Sequence, residues 1–295
     1  MLSVCVPVYN YNVKCLANKL AKQVNLAEFD VEVLFLDDGS DQKFFDVNKE
    51  LCSVQGIRYI FQDNVGRSQT RNRLAKMAHG SYLIFIDADC DIPDDFIEKY
   101  YSYAEENVVV VGGLCYYDKP SDHSLWLRWK VGVKREVRSL EHRRKDPYSS
   151  FLSSNFMISK DLILKLGFDE KMKGYGHEDT LFGLSLKNHH IPIVHIQNAV
   201  YHLGIDRVDV YLKKLEESID NIILVNRYLE VSDGFKLFRI YLVLKKAGLT
   251  RLFSSLFSKV EPILKKWFLE GNDSLFLLDF YKLGLLTLKM QRLRI

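Results

Sequence analysis

Three short apolar runs, residues 2–8 (LSVCVPV), 31–36 (VEVLFL) and 82–86 (YLIFI), constrain this chain more than any other feature. Each is apolar almost throughout, so each predicts a strand buried on both faces. Helix-period segments separate them. Val13, Leu16, Ala17, Leu20, Ala21 and Val24 fall on one face of a helix, and further helices are expected near 43–54 and from Gly66 to about Met77. Shorter strands are expected at 57–61 and 108–111. Pro7 predicts that the first strand ends or bends there. Buried strands alternating with helices predict an α/β fold with a mostly parallel, Rossmann-like sheet flanked by helices. In such open sheets ligands bind beyond the carboxyl ends of the strands. Those ends carry Tyr9-Asn10, Asp37-Asp38 and the run from Asp87 to Asp91, which a parallel sheet would bring to one edge.

The rest of the chain narrows the class. Residues 113–150 are less regular. A strand at 151–159, a helix at 160–166, a turn at 174–176, a helix at 177–188, a strand at 193–196 and an extended end at 199–202 follow. From about Arg207 the pattern is helical to the C-terminus. A length of 295 residues suits one large domain, or one domain with an appendage. No apolar run approaches the ~20 residues of a membrane-spanning helix. The first ten residues lack a basic leader, so no secretory signal is expected. Five scattered cysteines without a CxxC pair argue against a disulfide scaffold or a cysteine-rich zinc site, and suit a reducing cytoplasm. The net charge of +3 conceals an asymmetry: residues 235–295 hold twelve Lys or Arg against four Asp or Glu, and the remainder is acidic. A basic tail of this kind is either solvated or faces a polyanion, nucleic acid or an anionic membrane.

Two motifs stand out chemically. In Asp87-Ala88-Asp89-Cys90-Asp91, alternate residues of an extended chain would point the same way, so Asp87, Asp89 and Asp91 are expected on a shared face. Clustered carboxylates repel, and a hard divalent cation relieves the repulsion through oxygen ligands. The plainer reading is an acidic turn capping the helix expected after Pro93. In Gly174-Tyr175-Gly176-His177-Glu178-Asp179, a glycine turn presents two carboxylates at a helix start. They serve the helix dipole, or one of them is a general base. Leu181 stands where an HExxH zinc helix needs its second histidine. Asp37-Asp38-Gly39-Ser40 reads either as a strand-to-helix turn or as a carboxylate that accepts from a nucleobase imide. The helix opened by residues 64–73 holds three arginines, which favour phosphate. No GxGxxG, P-loop or G-x-S-x-G motif is present.

Taken in order, VCVPVYN, LFLDDGS, NVGRSQTRN, FIDADCD and GFDEKMKGYGHED resemble glycosyltransferase family 2. The last segment, with AVYH after it, is also similar to the C-terminal part of galactosyl- and N-acetylgalactosaminyl-transferases. The resemblance implies a GT-A fold over residues 1–204, with a nucleotide-binding half at 1–112, an acceptor-binding half at 113–204 and a helical basic region at 205–295. It implies that Pro7 and Tyr9 line the nucleobase pocket, that Asp38 bonds the uracil, and that Arg71 and Asp87 approach the nucleotide-sugar. It makes Asp89 and His202 the ligands of Mn²⁺ or Mg²⁺, Asp179 the catalytic base, and Glu178, Tyr175 and Gly176 acceptor contacts. His177 stands where many relatives have a small residue.

The implied activity is inverting, metal-dependent transfer of a hexose or N-acetylhexosamine from a UDP-sugar to a hydroxyl of a glycan or lipid-linked acceptor in cell-surface polysaccharide assembly. The competing readings are a sugar-1-phosphate nucleotidyltransferase and a non-catalytic nucleotide-sugar or membrane-binding module. No nucleic-acid partner is expected, and an oligomer is left open. In the tail, apolar residues from Leu249 to Phe268 follow a helical rhythm with Arg251, Lys259, Lys265 and Lys266 opposite. That pattern suits an anionic membrane surface meeting residues 249–295, on the cytoplasmic face, or packing against the catalytic domain or a second subunit. Pro262 allows for two shorter helices meeting there.

Overall fold

The front of the chain forms the expected strand–helix alternation: β1 (Leu2–Val8), α1 (Lys14–Leu26), β2 (Val31–Asp38), α2 (Gln42–Asn48), β3 (Ile57–Gln62), α3 (Arg67–Met77) and β4 (Tyr82–Ile86). This is a computed structural model, and it describes residues 1–105, 107–172, 174–229 and 235–293. The next stretch holds β5 (Cys90–Asp91), α4 (Phe96–Tyr101), β6 (Val109–Val111), β7 (Leu114–Cys115), α5 (Trp126–Val131), α6 (Leu140–Lys145) and β8 (Asn155–Ser159). Then come α7 (Lys160–Leu166), α8 (Glu178–Asn188), β9 (Ile193–His195) and β10 (Val200–His202). The last four helices are α9 (Val208–Leu229), α10 (Lys236–Lys246), α11 (Thr250–Leu269) and α12 (Leu275–Arg292). Residues 230–234 and 294–295 of the helical region expected from the sequence lie outside the described residues.

Seven strands make one sheet in the order β3-β2-β1-β4-β8-β6-β9. All its neighbouring pairs are parallel except those of β8, which runs antiparallel to both β4 and β6. A second, three-stranded sheet has the order β5-β10-β7. The side-chain period of two divides the large sheet between two cores. Val4, Val6, Val8, Val33, Phe35, Ile84 and Ile86 enter one core with α1. Cys5, Leu34, Leu36, Leu83 and Phe85 enter the other with α3, α7 and α8. Burial on both faces explains why these strands read as continuous apolar runs.

Several boundaries differ from the sequence reading for physical reasons. Strand β1 runs through Pro7, which pairs with Leu36 of β2. Pairing with β4 stops at Cys5, so the missing N–H of Pro7 removes no ladder bond on that side. Strand β2 carries both Asp37 and Asp38 inside the strand, opposite Phe61 and Gln62. The helix expected over 43–54 tightens into a 3-10 turn at Lys49–Ser53. Helix α11 is continuous through Pro262, because Phe257, Leu264 and Phe268 on both sides of it are buried in one core.

The chain divides into two compact units. The first comprises Met1–Tyr117, Arg135–Met172 and Glu178–Gly204 and contains both sheets. The second comprises Asp118–Lys134, Lys173–His177 and Ile205–Ile295, with a helical core built by Leu127, Leu215, Ile219, Phe257, Tyr281 and Leu286 among others.

Candidate active site

Because β2, β1 and β4 are adjacent and parallel, their carboxyl ends share one edge of the sheet. At the end of β1, Tyr9 is exposed and Asn10 takes a positive φ of 51°. Asn10 N–H donates to Ser40 Oγ at 2.8 Å, and Asp41 N–H donates to Asn10 Oδ1 at 2.7 Å. These two bonds tie the ends of β1 and β2 together.

The two carboxylates that end β2 do different work. Asp37 is fully buried, accepts Ser40 N–H at 2.8 Å on Oδ1, and accepts the Tyr59 hydroxyl on Oδ2. Burial and the neighbouring Asp37 push the Tyr59 phenol far up, so this pair is a fixed structural contact. Asp38 accepts Val65 N–H at 2.8 Å, Gly66 N–H at 2.9 Å and the Gln62 amide at 2.8 Å. A carboxylate offers about four lone-pair sites, so three donors leave about one for a ligand. Gly39 makes this packing possible: its φ is 76°, and a Cβ there would lie 2.8 Å from the backbone nitrogen of Asn64.

Beyond β4 the chain turns at Ala88–Asp89 before resuming as β5, and Cys90 N–H donates to the Asp87 carbonyl at 3.2 Å. The alternation expected over 87–91 therefore does not hold, and the three carboxylates separate. Asp87 Oδ1 accepts Arg71 Nη2 at 2.6 Å. Asp91 is occupied by Lys19 and by the Tyr117 hydroxyl at 2.9 Å. Burial acts to raise the Asp91 carboxyl, but these two donors hold it below its ordinary value. Asp89 stands beside β10, with Oδ1 3.5 Å from His202 Nδ1 and its carbonyl accepting Leu203 N–H at 2.7 Å. Gly204 has to be small here, since a Cβ on it would lie 1.9 Å from Asp89 Oδ2.

Asp89, Cys90 and His202 each offer a ligand atom within 4.8 Å of the others. A carboxylate oxygen and an imidazole nitrogen together form a donor set that a divalent cation with open positions can take. Cys90 is the soft member of the three, a buried thiol that burial, then Asp89 and Asp87, push well above its ordinary value. Asp89 and His202, the metal ligands expected from the resemblance, thus lie side by side.

The first turn of α8 carries Glu178 and Asp179. Glu178 is buried, yet Arg67 Nη1 at 3.1 Å and Arg71 Nη1 at 3.7 Å lie against its Oε1. Burial acts to raise its carboxyl, and the two guanidinium charges outweigh it and hold the group below its ordinary value. Asp179 shows the reverse. It is half-buried, and burial followed by the charge of Glu178 lifts its carboxyl to about 7, although it accepts Thr180 N–H at 2.7 Å.

Arg71 joins these parts. Its guanidinium is nearly inaccessible, packs 5.5 Å from the Phe168 ring centroid, bonds Asp87 on one side and faces Glu178 on the other. One side chain thus spans from the end of β4 to the start of α8. Among the described residues its Nε and Nη1 make no hydrogen bond. Arg67 was not singled out from the sequence. Its signal was present, because Arg67 and Arg71 are four apart and so share a helix face. Tyr175 and Gly176 fall in the second unit, where Asn221 donates to their carbonyls at 3.2 and 3.0 Å and Glu217 accepts Tyr175 N–H at 3.1 Å. His177 has a φ of 71°, and its Nε2 lies 3.0 Å from Ser218 Oγ.

Known proteins share this architecture. The chain is 25% identical over 219 residues to the chondroitin synthase of Escherichia coli, covering 63% of this chain and 32% of that one. The fold matches the crystal structure of Staphylococcus aureus TarS residues 1–349 in complex with UDP-GlcNAc, with a TM-score of 0.51 and 18% identity over 99% of this chain and 92% of that one. Likeness to N-acetylgalactosaminyltransferases has weaker support, from a putative polypeptide N-acetylgalactosaminyltransferase 13 of Drosophila melanogaster, 26% identical over 52% of this chain and 32% of that one. The chain spans about half or less of the length of the first curated relatives it matches. The family model described as glycosyl transferase family 2 matches residues 3–167, more than half of the sequence, and the chain belongs to that family.

Proposed function

We propose that this chain transfers a hexose or N-acetylhexosamine from a UDP-sugar to a hydroxyl of a glycan or lipid-linked acceptor, with inversion, in polysaccharide assembly. The observation that carries this reading is Arg71, which links Asp87 at the strand edge to Glu178 beside Asp179. The UDP-GlcNAc bound to TarS, a neighbour in fold, supports a UDP-sugar as donor. Exposed Tyr9 and half-buried Pro7 offer a face for the nucleobase, and Asp38 keeps acceptor capacity for its imide. Asp87, partly exposed and held by Arg71, is the group offered to the remainder of the nucleotide.

Asp179 is the proposed base. With its carboxyl near 7, it is about half ionised at neutral pH and basic enough to take a proton from a hydroxyl. Glu178, kept ionised by Arg67 and Arg71, sustains that basicity by charge repulsion and offers a fixed acceptor for a neighbouring hydroxyl. The deprotonated oxygen attacks the anomeric carbon from the face opposite UDP, so a single displacement inverts it. Mn²⁺ or Mg²⁺ held by Asp89 and His202 would supply positive charge against the departing UDP.

A panel of UDP-sugars assayed for UDP release tests this. The expected result is turnover with one UDP-hexose or UDP-N-acetylhexosamine, lost on chelation and restored by Mn²⁺ or Mg²⁺. Release of pyrophosphate from UTP and a sugar 1-phosphate, with no UDP from any UDP-sugar, would instead identify a nucleotidyltransferase.

A further inference from the structure

The apolar arc of α11 divides into two faces. One, with Phe257, Leu264 and Phe268, is buried in the helical core. The other is uncovered: Leu252 is 60%, Leu256 54%, Ile263 50% and Trp267 46% exposed. These positions are four, seven and four residues apart, so they form one stripe along the helix. Exposed Leu249 extends it by one turn. Packing accounts for the first face and leaves the second unexplained. A continuous uncovered apolar stripe marks an interaction surface.

Its surroundings say what kind of partner it fits. Lys259 and Lys266 project beside the stripe, on its other side from the buried face, and both are exposed. At the turn between α11 and α12, Trp267 and Phe276, the latter 79% exposed, flank the connection. That turn and the lysines Lys130 and Lys134 line a cavity of about 520 Å³. Asp273 there is already paired with Lys130 at 2.9 Å and Lys119 at 3.6 Å, so two lysines meet one carboxylate and Lys134 lines the same cavity. Residues 235–295 carry twelve basic against four acidic side chains. No helix of the described residues is long and apolar enough to cross a membrane. An apolar stripe edged by lysines, with aromatic residues at one end, has the form of a helix lying in the interface of an anionic bilayer.

We propose that the Leu252–Leu256–Ile263–Trp267 face of α11, with the lysine-lined turn before α12, docks on an anionic phospholipid surface. The occupant is lipid rather than a second copy, because like positive charge around the stripe would repel its own image.

Cosedimentation of the full chain with vesicles tests the proposal. Phosphatidylcholine vesicles holding about 30 mol% phosphatidylglycerol should bind at least ~10-fold more tightly than phosphatidylcholine alone, and high salt should weaken that binding. Lys259→Gln and Lys266→Gln should each weaken it about fivefold, as expected for one lysine near such a surface. Leu256→Glu with Ile263→Glu should abolish it while thermal unfolding stays unchanged, since both side chains are exposed. Equal binding to both vesicle types, or binding indifferent to Leu256→Glu, would overturn the proposal. So would a dimer seen by light scattering that Leu256→Glu dissociates, which would assign the face to a second copy.

Discussion

Asp179→Asn lowers kcat for sugar transfer by about 10²–10⁴-fold, the usual worth of a positioned acid–base group, and leaves the affinity for the UDP-sugar unchanged. The asparagine keeps the shape and the contact with Thr180 N–H but has no charge with which to take a proton. The same substitution has an opposite effect on stability. The carboxyl of Asp179 is raised from 3.8 to about 7 in the folded state. A group raised in this way makes the fold bind the proton more tightly than the unfolded chain does. Stability therefore falls as pH rises from about 4 through 7, where the folded carboxylate must ionise beside Glu178. Asparagine never ionises, so it should raise the unfolding midpoint near pH 8 and change little near pH 4. For a half-buried group relaxed by nearby water, the gain is on the order of 1–2 kcal/mol. Activity lost with stability gained separates a residue used in chemistry from one that merely packs. Unchanged kcat would remove Asp179 from the mechanism.

Arg71→Met should be the most destabilising single change at the site. It removes the guanidinium from a nearly inaccessible position and leaves Asp87 without its 2.6 Å donor and Glu178 with Arg67 alone. Breaking a buried ion pair on one side costs about 3 kcal/mol or more, because an uncompensated charge stays behind. Urea unfolding at neutral pH should show that loss. Glu178 has a lowered carboxyl, so its contribution is present above the ordinary value and is lost as pH falls through the lowered one. The penalty for Arg71→Met should therefore shrink in acid. Arg71→Lys should recover only part of the stability, since one ammonium cannot reach in two directions as the planar guanidinium does. A loss below about 1 kcal/mol would mean that Arg71 does not bridge the two carboxylates.

The sheet was legible because its strands are buried on both faces and so stand out as unbroken apolar runs. Their parallel order then brought Tyr9, Asp38 and Asp87 to one edge with no further information. Three things were not legible. Asp37 and Asp38 are adjacent and chemically identical, and only Tyr59 of β3 and the backbone of residues 65–66 separate a structural carboxylate from one with capacity to spare. The 87–91 run was misread as extended, because two residues of turn cannot be told from strand in so acidic a stretch. The tail offered a membrane surface, the catalytic domain or a second subunit as its cover, where the folded helix has one apolar face buried in the helical core and another exposed. Periodicity reports the width of an apolar arc and not which part of it a neighbour covers.

The central claim is that Asp179, lifted by burial and by its charged neighbour Glu178, is the group that takes the acceptor proton. The pH dependence of kcat/KM tests it most directly. For the unmodified chain it should rise with unit slope to a plateau, with an apparent pKa of about 7. Glu178→Gln should move that limb toward lower pH by removing the repelling charge. A profile flat from about pH 5 to 9, or a limb unmoved in Glu178→Gln, would contradict it.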